Sequence, residues 1–238
     1  RDSIGIKPLY YVDTPTWLGF ASEARPLLKL GLPGWTPTMD MDSARLLLQA
    51  MYLRDNERTM IAGVRKLEPG HLLICSADGS MERKQFWQLR CTEDLEDISE
   101  SEALEKTSEL LTSTVSQHMI ADVEIGVLLS GGVDSSMIAA LAQRESKAPL
   151  ATYTAGFPHD WDERPFAKVV AQHIESRHEE VFIEPAEVIR RFPEIAATFD
   201  DLSTVDGGIL MMWVVCEQIR RRGIKVLLVG EGGDEVFG

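Results

Sequence analysis

From residue 123 to residue 229, short β-branched and aliphatic runs alternate with stretches whose apolar residues recur at helical spacing, and few folds accept that order. Strands are expected over 123–129, 150–157, 179–184 and 224–229, and helices from Ser135 to about Arg144, over 165–174, around 186–199 and around 209–222. Strands separated by helices pair in parallel through right-handed crossovers, so this half reads as an α/β domain on a parallel sheet. Ligands in such sheets sit beyond the carboxyl ends of the strands, so chemistry is expected in the segments that follow them.

After the first of these strands the chain reads Ser130-Gly131-Gly132-Val133-Asp134-Ser135-Ser136, and an amphipathic helix starts at once. Two glycines permit a tight turn that brings backbone N–H groups against an anion. The helix start adds unpaired N–H donors and the positive end of its dipole, and the serine hydroxyls add further donors. That combination makes a cradle for pyrophosphate. Asp134 alone would repel such an anion, so its presence is explained by a Mg2+ ion bridging carboxylate and phosphate oxygens. The plainer reading is a glycine-rich turn in which Asp134 or Ser135 only caps the helix. No Gly-Lys-Ser/Thr follows, which excludes a Walker A loop, and GxGxxG is missing, which excludes a Rossmann loop.

A second cluster, Gly230-Glu231-Gly232-Gly233-Asp234-Glu235, follows the strand over 224–229. Its carboxylates repel one another unless a cation lies between them. Alone it reads equally as an acidic surface turn. At the end of a parallel strand, beside the first loop, metal binding is the stronger reading, with Asp134 and Asp234 as the Mg2+ ligands. The strand over 150–157 ends in Ala155 and Gly156, small enough for a purine ring to lie against backbone, with Leu128 and Leu129 as neighbouring walls. Core packing explains those positions equally well.

The first 90 residues have a different texture, with short alternating runs around residues 8–12, 17–21, 71–75 and 84–87 that read as strand and loop. One helix is expected over 43–51 behind an Asp42 or Ser43 cap. Residues 93–109 are rich in Asp and Glu and read as a solvated linker running into a helix, with a capping box at Ser99–Glu102 and a buried stripe of Leu104, Leu111, Val115 and Met119. The domain boundary is placed near residue 90, giving 1–90 and 91–238. With 38 acidic and 24 basic residues the net charge of −14 disfavours nucleic acid as a partner. No apolar run approaches the roughly 20 residues needed to span a bilayer, and the opening stretch Arg1–Gly5 does not read as a signal peptide but looks like a cut made inside a longer chain. A soluble, cytoplasmic protein is expected. Cys75, Cys91 and Cys216 form no metal or disulfide pattern, nor do the histidines, and both read as structural or solvated residues.

In their order, these motifs resemble the glutamine-dependent asparagine synthetase family over nearly the whole chain. The stretches Arg1–Tyr11, Phe20–Glu23 and Val64–His71 are similar to the end of its glutaminase domain. Those from Asp122 to Ser136, Asp162 to Pro165 and Gly230 to Gly238 are similar to the first half of its synthetase domain. The resemblance implies an ATP-pyrophosphatase fold of the adenine nucleotide alpha hydrolase kind, preceded by the mostly β C-terminal part of an N-terminal-nucleophile glutamine amidotransferase domain. It implies that ATP adenylates the side-chain carboxylate of aspartate, that pyrophosphate leaves with Mg2+, and that ammonia from glutamine attacks β-aspartyl-AMP. Ser130, Gly131, Gly132, Asp134 and Ser135 would hold pyrophosphate. Leu128, Ala155, Val229 and Gly230 fall on nucleotide-contacting positions, and Glu231 on the catalytic acidic position implicated in forming the acyl-adenylate.

Departures from the family pattern accompany the match. Val229 stands where serine is frequent, Ala155 where valine is usual, and Asp206-Gly207-Gly208 where Asp-Pro-Ser is common. The glutaminase cysteine would precede Arg1 and the later synthetase residues would follow Gly238, so an incomplete, inactive fragment is expected, with a homodimer open to the full-length protein. Relatives that adenylate another carboxylate, such as β-lactam-forming synthetases and other amidotransferases, are the nearest alternative. A tRNA-modifying pyrophosphatase fits the acidic charge and unpaired cysteines poorly, and a noncatalytic module fits the intact loop residues poorly.

Overall fold

The computed structural model describes residues 1–50, 53, 55–89, 98–156, 162–200 and 208–237. Cys91, residues 93–97 of the acidic stretch, Phe157, Asp206 and Gly207 lie outside them. The chain forms two compact units, Arg1–Leu95 with Pro193–Gly207, and Glu96–Phe192 with Gly208–Gly238. Among the described residues no helix is long and apolar enough to cross a membrane.

In the first unit β1 (Tyr10–Asp13) pairs antiparallel with β2 (Leu18–Ala21) on one side and β3 (Val64–Lys66) on the other. Tyr10, Val12 and Val64 pack against Ala24 and Leu27 of the one-turn helix α1 (Ala24–Leu28). Both β3 and α1 are too short to produce a periodic signal, and the sequence did not announce them. Helix α2 (Met41–Ala50) begins earlier than expected because its cap is Asp40, whose Oδ1 accepts the N–H groups of Asp42 at 3.0 Å and Ser43 at 2.9 Å. β4 (His71–Cys75) and β5 (Met81–Gln85) form a separate hairpin. Its turn is set by Asp78, whose Oδ1 accepts from Ser80 N at 2.9 Å and Ser80 Oγ at 2.7 Å, and this starts the return strand at Met81 rather than at Lys84.

The second unit opens with α3 (Glu100–His118), which carries the expected capping box between Ser99 and Glu102. Val115 is buried and Leu111 and Met119 pack beside it, but Leu104 is 65% exposed. Periodicity marked the apolar face correctly and not how far along it a partner extends. The helix meets α4 (Val133–Glu145) in its second half, where Ser116 Oγ donates to Glu145 Oε2 at 3.1 Å.

Four parallel strands form the sheet: β6 (Ile125–Leu128), β7 (Ala151–Gly156), β8 (Arg177–Phe182) and β9 (Val226–Leu228), in the order β8-β7-β6-β9. The connecting helices are α4, α5 (Arg164–His173), α6 (Pro185–Ala196) and α7 (Gly208–Arg221), followed by the short α8 (Gly233–Phe237). The α/β parallel architecture is the expected one. Alanines at 139, 142, 167 and 171 are buried on α4 and α5, and their small side chains let both helices lie close against Val127 and Leu129. From β6 the chain steps outward to β7 and β8, then returns to lay β9 on the opposite side of β6. That reversal opens a crevice at the carboxyl ends of β6 and β9, the position where open α/β sheets receive ligands.

Candidate active site

The loop after β6 is shaped by its glycines and tied by its serines. Gly131 has φ +84, and a Cβ there would stand 2.6 Å from the backbone nitrogen of Ala167 on α5, so both conformation and clearance require glycine. Gly132, in extended conformation, is the N-cap of α4 and supplies no side chain, which leaves the first N–H groups of the helix without side-chain acceptors. Neither Asp134 nor Ser135 is therefore the cap: the helix begins at Val133, ahead of the expected Ser135, and both residues lie in its first turn. Ser135 Oγ accepts from Ser130 N at 3.2 Å, lies 2.9 Å from Ser130 Oγ and donates to Gly132 O at 3.3 Å. The hydroxyls thus brace the loop, and one must turn before it can serve a ligand.

The second loop meets the first. A Cβ on Gly230 would lie 2.7 Å from the nitrogen of Ser135, and one on Gly233 would lie 2.4 Å from Oδ2 of Asp134. The carboxylate of Asp134 is therefore held against the backbone of the β9 loop. What read as a glycine-rich acidic turn is in part the helix α8, with Asp234 in its first turn.

These elements enclose a cavity of about 770 Å3. Leu128, Ser130, Gly132, Asp134 and Ser135 line it from β6 and α4, Ala155 from β7, and Val229, Gly230, Glu231 and Asp234 from the β9 loop. Gly131 does not line it; its backbone packs against α5. The sequence reading gave no role to Thr154, Glu163, Met212, Val215 or Phe237, which also line the cavity. Glu163 had a signal, since it stands within Asp162–Pro165, and its neighbours explain that stretch. Arg164 grips the Asp162 carboxylate, with Nε to Oδ1 at 2.8 Å and Nη2 to Oδ2 at 2.7 Å, and reaches Glu180 Oε2 at 3.3 Å. Hydrogen bonding to Arg164 holds the pKa of Asp162 below the usual carboxylate value. Arg164 also lies over Gly156, where a Cβ would stand 2.7 Å from Cδ. The pair braces the ends of β7 and β8.

Among the described residues no group of three or more His, Cys, Asp or Glu gathers as a metal cage. Asp134 and Asp234 nonetheless line one cavity from two loops. Mg2+ is commonly held by one or two carboxylates, with substrate phosphates and water completing its shell, so this donor set fits Mg2+.

A glycine-serine loop entering an uncapped helix, at the switch point of a parallel sheet and faced by carboxylates, is an arrangement suited to an anionic ligand. Residues 106–238 match the asparagine synthase family, and residues 1–87 match the glutamine amidotransferase domain. The chain belongs to the asparagine synthase family. It is 32% identical to a Mycobacterium tuberculosis protein named provisionally as a glutamine-hydrolyzing asparagine synthetase, and 29% identical to glutamine-hydrolyzing asparagine synthetase 1 of Bacillus subtilis; each match covers 100% of this chain and 36% of the relative. It is also 30% identical to amidase chry2 of Gibberella zeae, over 100% of this chain and 37% of that protein. The chain thus spans about a third of the length of the curated relatives it matches. Among solved structures, the NH3-dependent NAD synthetase from Campylobacter jejuni is 16% identical with a TM-score of 0.36, over 56% of this chain and 60% of that one, a likeness too loose to argue from.

Proposed function

We propose that the full-length protein amidates a carboxylate, aspartate in the first instance, using ATP and ammonia drawn from glutamine. The observation that carries this reading is the meeting of the Ser130–Ser135 loop and the Gly230–Asp234 loop around one cavity at the switch point of the sheet. A carboxylate oxygen attacks the α-phosphorus of ATP, the bond from that phosphorus to the β-phosphate bridge breaks, and pyrophosphate departs, leaving β-aspartyl-AMP. Ammonia then attacks the acyl carbon, AMP leaves with the bonding electrons, and asparagine remains after loss of a proton.

Each residue has a part in that sequence. The uncapped N–H groups of the first turn of α4 hold the pyrophosphate, with hydroxyl donation from Ser130 or Ser135, while the N–H groups of Ser130 and Gly132 stay tied to Ser135 Oγ and Ser130 Oγ and keep the loop in shape. Leu128, Ala155, Val229 and Gly230 wall the nucleoside, the last two mainly through backbone groups. Glu231 orients the reacting groups during formation of the acyl-adenylate. Asp134 and Asp234 would hold Mg2+, which when bound neutralises phosphate charge. Residues 1–87 would belong to the glutaminase half that supplies ammonia.

Adenylation of a different carboxylate is the second reading, kept because relatives of similar identity do not all carry an asparagine synthetase name, two being named amidase. Product analysis on the full-length protein separates the readings. With Mg2+, ATP, ammonia and aspartate, AMP and asparagine are expected in equal amounts. ADP in place of AMP would exclude adenylation, and an amide formed only from another acid would move the acceptor.

A further inference from the structure

One part-buried polar cluster, Thr152, Thr154, Ser176 and His178, has no part in the chemistry above. Thr152 and Thr154 on β7 are 0% and 2% exposed, in positions where valine would fill the same volume without a hydroxyl to satisfy. Thr154 Oγ1 donates to the carbonyl oxygen of Leu129 at 2.5 Å, one residue past the end of β6 and one before Ser130. The N–H of Leu129 donates to Tyr153 O at 2.8 Å, so both main-chain groups of Leu129 are tied to β7.

With a neutral His178 ring, one order of donors and acceptors satisfies the remaining bonds. A carbonyl only accepts, so the Thr154 hydroxyl gives its proton to Leu129 and can only accept from His178, whose Nε2 lies 3.4 Å away. Nε2 then carries the imidazole proton and Nδ1 is the acceptor, matched by Thr152 Oγ1 at 3.0 Å. In that order Thr152 accepts from Ser176 Oγ at 2.8 Å, and the Ser176 proton goes to this shorter contact rather than to the Ala171 carbonyl at 3.4 Å. Burial lowers the pKa of His178, which favours the neutral ring this order requires.

We propose that Thr154, oriented by His178, is a positioning residue for the phosphate loop: its hydroxyl fixes the Leu129 carbonyl and with it the direction in which the chain enters Ser130–Gly132. The loop has little latitude, because Gly131 sits against α5 and Ser130 N must reach Ser135 Oγ. The role in ATP binding rests on the function proposed above; the geometric role does not.

Two readouts on the full-length protein test this. Amide hydrogen exchange in the peptide containing Ser130–Gly132 is expected to quicken about tenfold in Thr154→Val and to stay within about twofold of wild type in Thr154→Ser, with the rest of the sheet unchanged. His178→Leu is expected to give the same loop signature at smaller size. In AMP formation, KM for ATP is expected to rise about tenfold in Thr154→Val with kcat within about threefold, and Thr154→Ser to restore it. Wild-type loop exchange in Thr154→Val overturns the proposal. So does faster exchange spread through the whole sheet, or a Thr154→Ser variant as impaired as Thr154→Val, since each reduces the hydroxyl to a packing feature. No loop effect from His178→Leu overturns the part given to that ring. A wild-type protein that forms no AMP refutes the ATP reading instead, and the exchange result then decides the role of Thr154.

Discussion

Replacing Gly131 with alanine tests whether the loop is shaped by clearance as well as by backbone conformation. Its φ of +84 lies in the left-handed region, which costs a residue bearing Cβ about 1–2 kcal/mol. The new methyl would also stand 2.6 Å from the nitrogen of Ala167 and 2.6 Å from the carbonyl carbon of Phe166. Those are main-chain atoms, which cannot swing aside as a side-chain tip does, so the loop and α5 must separate at a further cost of about 1–3 kcal/mol. The sum, about 2–5 kcal/mol, is a large part of the roughly 5–15 kcal/mol that holds a domain folded. Gly223 isolates the conformational part, because its φ is +97 and nothing lies within 4 Å of where its methyl would stand. Gly223→Ala should therefore lose only about 1–2 kcal/mol. Urea unfolding of both full-length variants, followed by circular dichroism, measures the difference. Equal losses, or a loss under about 1 kcal/mol in Gly131→Ala, would refute the reasoning.

Gly233→Ala should behave in the opposite way. Its methyl would meet Asp134 at Oδ2, 2.4 Å away; a carboxylate tip can move, so stability should stay within about 1 kcal/mol of wild type while KM for ATP rises about tenfold. Unchanged KM would separate the Asp134 carboxylate from nucleotide binding. His178 sets a pH dependence whose sign follows from its lowered pKa. The unfolded chain binds the proton more readily than the folded one, so this stability is fully present above the unfolded value of 6.5 and is lost as pH falls toward the lower folded value. Glu180 opposes the shift and Lys168 adds to it, with burial the largest cause. Urea midpoints measured from pH 7.5 down to 5 should therefore fall less steeply in His178→Gln than in wild type, and equal slopes would contradict the assignment.

The alternation of strands and helices was legible because it is local: β-branched runs such as Ile125–Leu128 and helical spacing along α4 and α7 need no partner to be recognised. The two loops were legible for a related reason, since their glycines, serines and carboxylates are contiguous in the chain. What the sequence could not convey was how far packing extends and which distant side chains converge. Leu104 continues the apolar face of α3 yet stands in solvent, whereas Met212 and Val215, on a helix read only as periodic, line the cavity. Thr154 was hidden inside a strand that read as core, and its polar role depends on His178 of β8, which chain order alone does not bring near. The helix ends moved for reasons of capping: Asp40 and Gly132 start α2 and α4 ahead of the residues that periodicity suggested.

The central claim is that the loop after β6 and the carboxylate of Asp134 serve adenylation of an acid by ATP. Exchange of labelled pyrophosphate into ATP, measured with Mg2+ on the full-length protein, tests it most directly, comparing wild type with Asp134→Ala in the presence and absence of aspartate. The account predicts exchange that requires aspartate and falls at least about a hundredfold in the variant. Exchange that persists undiminished in Asp134→Ala would contradict it.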